Sequence, residues 1–83
     1  MVTILYFARL RDELSCGEEQ FELTSDACSV AAIKAEIAAR GEPWQSVMQD
    51  KNLLVAVNQT IANDAAPVAA GDEVGFFPPV TGG

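Results

Sequence analysis

The side chains of this 83-residue chain offer little catalytic chemistry, which draws attention to its main-chain end. There is no histidine, so the usual general base at neutral pH is missing, along with any His-containing triad or His-ligated metal. Cys16 and Cys28 are 12 positions apart, a spacing that matches neither zinc nor redox motifs. Each reads as a small, partly buried apolar residue, and no metal site is expected. Gly41, Gly71 and Gly75 are isolated and build no phosphate-binding loop. What remains is the stretch Phe76-Phe77-Pro78-Pro79-Val80-Thr81-Gly82-Gly83. Two glycines without Cβ atoms make a thread thin enough for a narrow cleft, leaving the carboxylate of Gly83 to react. The last acidic side chain is Glu73, whereas loose solvated tails are normally polar and poor in aromatics. Residues 78–83 are therefore expected to form a flexible arm with a function, on a body comprising residues 1–77.

Composition limits the partners. Twelve acidic residues against five basic ones give a net charge of −7, the wrong sign for neutralising phosphates. Nucleic acid and anionic membrane surfaces are excluded on that ground, and a positively charged protein surface is the natural counterpart. A chain this short forms one domain with a modest core, hiding a little over 60% of the surface exposed on unfolding. No apolar run approaches the roughly 18 residues of a membrane span, and the chain opens directly as a strand, so a cytoplasmic protein is expected.

Periodicity supplies the elements that must carry the arm. Val2 to Phe7 is nearly all apolar or β-branched, as in a strand covered on both sides. Ala8 to Leu14 reads as a loop or a single helical turn, and Gln20 to Thr24 as a half-exposed strand with Phe21 and Leu23 inward. Ser29 caps a helix whose apolar stripe is Val30, Ile33 and Ile37. Arg40 suits its last turn, Gly41 its left-handed end, and Pro43 stops it. Trp44, Val47 and Met48 are expected to cover one edge of the core. Leu53 to Val57 reads as another strand apolar on both faces, and Thr60-Ile61 as a short one. Ala62 to Ala70 reads as loop, with Pro67-Val68 packed along it, before Val74 to Phe77 closes the order β-β-α-β-β-β. One helix on one face of a mixed sheet is the two-layer solution for such an order.

At this point the residues carry a resemblance. The strand order with its diglycine end resembles the ubiquitin-like β-grasp fold, an α+β architecture in which one main helix packs on a mixed sheet of four to five strands. Ala56-Val57-Asn58-Gln59-Thr60, Gly71-Asp72-Glu73-Val74 and Phe76 to Gly83 are similar to the small subunits of molybdopterin synthase. The opening Phe7-Ala8-Arg9-Leu10-Arg11-Asp12-Glu13-Leu14 is similar to that family's first strand and turn. The resemblance implies a sulfur carrier for molybdenum cofactor synthesis that is not an enzyme alone. It implies no bound cofactor: an ubiquitin-activating-like adenylyltransferase uses ATP to adenylate Gly83, next to Gly82, and a persulfide donor system converts it to a thiocarboxylate. It further implies a large synthase subunit, in a heterotetramer, that receives the tail and passes sulfur to a cyclic pyranopterin precursor. Alternatives are a β-grasp carrier for another pathway, such as thiamine thiazole synthesis, and a ubiquitin-like modifier.

The chemistry is coherent with so few reactive side chains. Adenylation replaces a resistant carboxylate by a good leaving group, and a thioacid is an ionised sulfur nucleophile that needs no histidine beside it. Pro78-Pro79 keep the base of the arm extended, which limits the entropy lost when Val80, Thr81 and the glycines enter a partner. By positional match, Phe7, Ile61 and Phe77 fall where this family contacts its partners. On residue type alone, Phe7 and Ile61 are expected in the core. Strand alternation places Val74 and Phe76 on one face and Gly75 and Phe77 on the other, with Phe77 outward. Arg9, Arg11 and Lys34 are expected to be solvated surface charges.

Overall fold

The computed structural model describes residues 1–23 and 28–78. Strand β1 (Val2–Tyr6) alternates, with Val2, Ile4 and Tyr6 buried and Thr3 and Leu5 half-exposed. The expectation of a strand covered on both sides is thus corrected. The helical layer lies on one face only, so hydrophobicity on the other face has a different cause. Of the two readings of Ala8 to Leu14, a loop or a single helical turn, the helical one holds, extended to helix α1 (Arg9–Leu14). Leu10 and Leu14, four positions apart, share one face and are both buried, and Ser15 ends the helix in the left-handed region at φ 52°. Strand β2 (Glu18–Phe21) runs antiparallel to β1, from Leu5↔Glu18 to Val2↔Phe21. Phe21 points inward and Leu23 packs against the core, as expected.

Helix α2 (Val30–Ala38) follows the two-residue strand β3 (Cys28–Ser29). The Ser29 hydroxyl accepts a hydrogen bond from the Ala32 N–H at 3.2 Å, and Val30, Ile33 and Ile37 are fully buried. The predicted cap and stripe are both present. Gly41 takes φ +93°, and helix α3 (Trp44–Met48) then buries Val47 and Met48 along one edge of the core. Strands β4 (Leu54–Val57) and β5 (Thr60–Ala62) form a hairpin across Asn58 and Gln59, both at positive φ. The segment expected as loop contains β6 (Pro67–Val68), which pairs with β3. Strand β7 (Glu73–Phe77) closes the fold.

The main sheet has the order β2-β1-β7-β4-β5, with β7 central, parallel to β1 and antiparallel to β4. This is the ubiquitin-like β-grasp arrangement, with α2 across one face. In the core, Tyr6 stacks on Phe76 with ring centroids 6.0 Å apart and meets Trp44 edge-on at 5.7 Å. Arg40 corrects a further expectation. Helix α2 stops at Ala38, and Arg40 instead forms a bidentate pair with Glu19 of β2 at 2.7 and 2.9 Å. The same carboxylate accepts the Tyr6 hydroxyl at 2.7 Å, and the guanidinium lies 4.7 Å over the Trp44 ring. One charge pair thereby ties β1, β2 and the α2–α3 connection together. The hydrogen bonds from Arg40 hold the Glu19 carboxyl below its ordinary range, and burial pushes the Tyr6 phenol up.

Candidate functional site

Alternation along β1, β7, β4 and β5 assigns a second set of residues to the face away from α2. Pairing places Leu5, Gly75, Ala56 and Ile61 in one row across four strands. The next row toward the end of β7 contains Phe7, Phe77 and Leu54. Both rows are entirely apolar. Ile61 is 70% exposed, Leu54 38% and Phe7 37%, whereas Phe76, one residue from Phe77, is fully buried. The same face turns polar beyond these rows, with Thr3 beside Glu73 in the preceding row and Glu18 of β2 opposite Leu5. The apolar patch is therefore confined to the end where β7 finishes, and exposed patches of this kind mark interaction surfaces.

The centre of this face is built by three residues. The rings of Phe7 and Phe77 are nearly parallel, at 5°, with centroids 4.6 Å apart. Stacking of this kind is worth about 0.5–1.5 kcal/mol beyond the area it buries. Gly75 clears space at their edges: a Cβ there would come within 2.9 Å of Phe7 Cε2 and 3.7 Å of Phe77 Cε2. The Phe7 N–H donates to the Phe76 carbonyl at 3.1 Å, carrying the β1–β7 pairing one residue past the end of β1. At the far edge, the Asn58 turn sets the β4–β5 hairpin that presents Ile61. The Asn58 side chain donates to Asp72 at 3.1 Å and accepts from the Glu73 N–H at 3.0 Å. The Ala69 N–H, and after it the Asn58 amide, donate to Asp72 and hold its carboxyl below its ordinary range.

The structure brings together three of the anticipated contact residues. Phe77 faces outward as expected, with Phe76 in the core. Core burial of Phe7 and Ile61 is overturned, because both alternate away from α2. Pro78 directly follows Phe77 and is half-buried, so the chain leaves the sheet beside the aromatic pair. Pro79, Val80, Thr81, Gly82 and Gly83 lie outside the described residues. Gly75 shares the outer face with Phe77, as alternation along the last strand implies, whereas Leu5, Leu54 and Ala56 do not follow from the sequence reading. The signal for them in the sequence is the run of apolar residues at both parities of β1 and β4, which fits burial on both sides as well as a covered outer face. Arg9 pairs with Glu13 at 3.5 Å on the surface, whereas Lys34, expected as a solvated charge, is largely covered and paired with Asp64 at 3.0 Å.

An open groove of about 840 Å³ between α2 and the β4–β5 edge is lined by Ala31, Ala35, Leu53 and Ala62 among others, and the charges Lys34 and Asp64 that also line it are paired with each other. Among the described residues no group of His, Cys, Asp or Glu could hold a metal ion, and no helix is long and apolar enough to cross a membrane. The side chains of the two rows are aliphatic or aromatic, and none of them is titratable or nucleophilic.

A model of the ThiS family matches residues 4–83. The molybdopterin synthase sulfur carrier subunit of Escherichia coli (strain K12) is 41% identical over 83 residues, with 100% of both chains covered. The protein of the same name from Haemophilus influenzae is 37% identical, again with 100% of both chains covered. Among solved structures, the putative molybdopterin converting factor subunit 1 from Pyrococcus furiosus superposes with a TM-score of 0.79 at 32% identity, covering 95% of this chain and 97% of that one.

Proposed function

The chain belongs to the ThiS family, and from that premise we propose that it is the sulfur carrier subunit of a molybdopterin synthase, acting in molybdenum cofactor biosynthesis. It is not an enzyme alone: it contributes the small, sulfur-donating part of a heteromeric complex. The observation that carries this reading is the apolar outer face of Phe7, Leu54, Ile61 and Phe77, placed where β7 runs into Pro78. A handle for a partner and the root of the reactive arm are thus adjacent.

In this reading the large synthase subunit covers that face and receives Pro78 to Gly83. Six extended residues reach roughly 20 Å at about 3.3 Å each, enough to enter a neighbouring active site. Gly83 is first adenylated by a ubiquitin-activating-like enzyme that consumes ATP and releases pyrophosphate. The terminal sulfur of a persulfide donor then displaces AMP, and a second thiol reduces the S–S bond of the resulting acyl disulfide, leaving the thiocarboxylate. The sulfur passes to a cyclic pyranopterin precursor. Two loaded carriers serve each dithiolene, in keeping with a heterotetramer of two large and two small subunits. The carrier itself binds no cofactor, and orientation on the partner supplies most of the rate advantage.

The test combines mass and rescue. The chain purified from its native host should carry one sulfur-for-oxygen exchange at Gly83, co-purify with a synthase large subunit and restore the cofactor in cells lacking their own carrier. Lysine-linked conjugates in place of a thiocarboxylate would instead identify a modifier. Rescue of thiazole synthesis alone would identify a carrier for thiamine.

A further inference from the structure

Two residues in this chain run against the stability of the elements that hold them, and both adjoin Phe7, one in sequence and one in space. Ala8, directly after Phe7, adopts φ 53° and ψ −133°. It is the second residue of a turn in which the Leu10 N–H donates to the Phe7 carbonyl at 3.2 Å. That corner normally takes glycine, because a Cβ there crowds the backbone. Gly75 presents the opposite case. It lies within the central strand, where the lack of a side chain weakens packing, yet it is not one of the glycines with positive φ. Its backbone does not demand glycine; the Phe7 ring occupies the space instead, with Cε2 only 2.9 Å from where a Cβ would stand, so a side chain there would have to move the ring.

We propose that Ala8 and Gly75 are paired positioning residues for Phe7. Gly75 clears the space that one edge of the stacked ring occupies, and Ala8 stiffens the turn that aims it. Phe7 and Phe77 then meet the partner as one preassembled aromatic plate. The inference rests on the reading that this face docks the large synthase subunit. Its physical basis is that a side chain already held in its bound pose loses less entropy on association. Strained backbone of this kind survives where surrounding structure enforces it, and it concentrates at functional sites. Glycine at position 8 would take the turn without strain and let it sample more conformations. Alanine at position 75 would move the Phe7 ring and break its parallel contact with Phe77.

The test measures Ala8→Gly and Gly75→Ala, each alone and combined with Phe7→Ala. Affinity for the purified large subunit from the same source is read by calorimetry, and folding by thermal melting. Ala8→Gly is expected to melt no lower than the native chain, and Gly75→Ala within a few degrees of it. Each should bind roughly three- to tenfold more weakly, the scale of one side chain's lost order. In the Phe7→Ala background neither should weaken binding further. Native affinity in both single variants, or a loss that persists without Phe7, overturns the assignment. Ala8→Gly decides the matter alone if Gly75→Ala fails to fold. If Phe77→Ala weakens binding while the two single variants do not, positioning falls and docking stands. If Phe7→Ala, Phe77→Ala and Ile61→Ala all bind as the native chain does, docking itself falls and positioning falls with it.

Discussion

Two isoleucines in this chain should respond to the same truncation in opposite ways. Ile33, on α2, is fully buried, whereas Ile61, on the edge strand β5, is 70% exposed. Truncating Ile33 to alanine removes packed methyl groups and leaves a cavity, which costs about 2–5 kcal/mol of folding stability. Ile61→Ala removes side chain already mostly in water, so its folding cost should stay within about 0.5 kcal/mol. The difference appears on binding. Full burial of an isoleucine side chain is worth about 1.5–3 kcal/mol, and the exposed 70% represents about 1–2 kcal/mol still available to a partner. Ile61→Ala should therefore weaken association with the large synthase subunit about 5- to 30-fold. Calorimetric titration gives the affinity, and thermal melting of the free carrier gives the stability. An unchanged dissociation constant would refute the claim that this row is covered in the complex. A melting temperature lowered as far as that of Ile33→Ala would refute the assignment of Ile61 to the outer face.

Three further outcomes follow from the same geometry. Phe77→Ala should weaken large-subunit binding by about 1–3 kcal/mol, the range of an aromatic anchor, as read by the same titration. Deleting Gly83 should abolish sulfur transfer and leave the melting temperature unchanged, because the residue lies beyond β7; transfer by the truncated chain would sink the role given to the tail. Glu19→Gln addresses acid stability. Arg40 holds the folded-state carboxyl below its ordinary value of 4.5, so its stabilisation is complete above that pH and is lost as pH falls through the lowered folded value. The variant should be less stable at pH 7 and lose less stability on acidification, as measured by denaturant titration at several pH values. An acid limb as steep as that of the native chain would show that Glu19 does not govern it.

Much of this molecule was determined locally. The Ser29 cap, the Val30–Ile33–Ile37 stripe and the Phe76/Phe77 alternation depend on residues within a turn or two of one another, and each appears in the structure as the sequence implied. Short-range hydrogen bonding and side-chain periodicity suffice for such features. The apolar outer face did not follow in the same way. Leu5, Leu54 and Ile61 have the residue types of a core, and only the pairing of four strands, with α2 across one side, places them on the other. Arg40 likewise reads as a charge at a helix end until the fold brings Glu19 of β2 within 2.7 Å of it. The same holds for the ring of Phe7, because the glycine at its edge is 68 positions later in the chain. Sequence determined the elements and the chemistry available at the chain's end. Tertiary structure alone decided which apolar residues face a partner, because a strand's two faces are equivalent until another layer covers one of them.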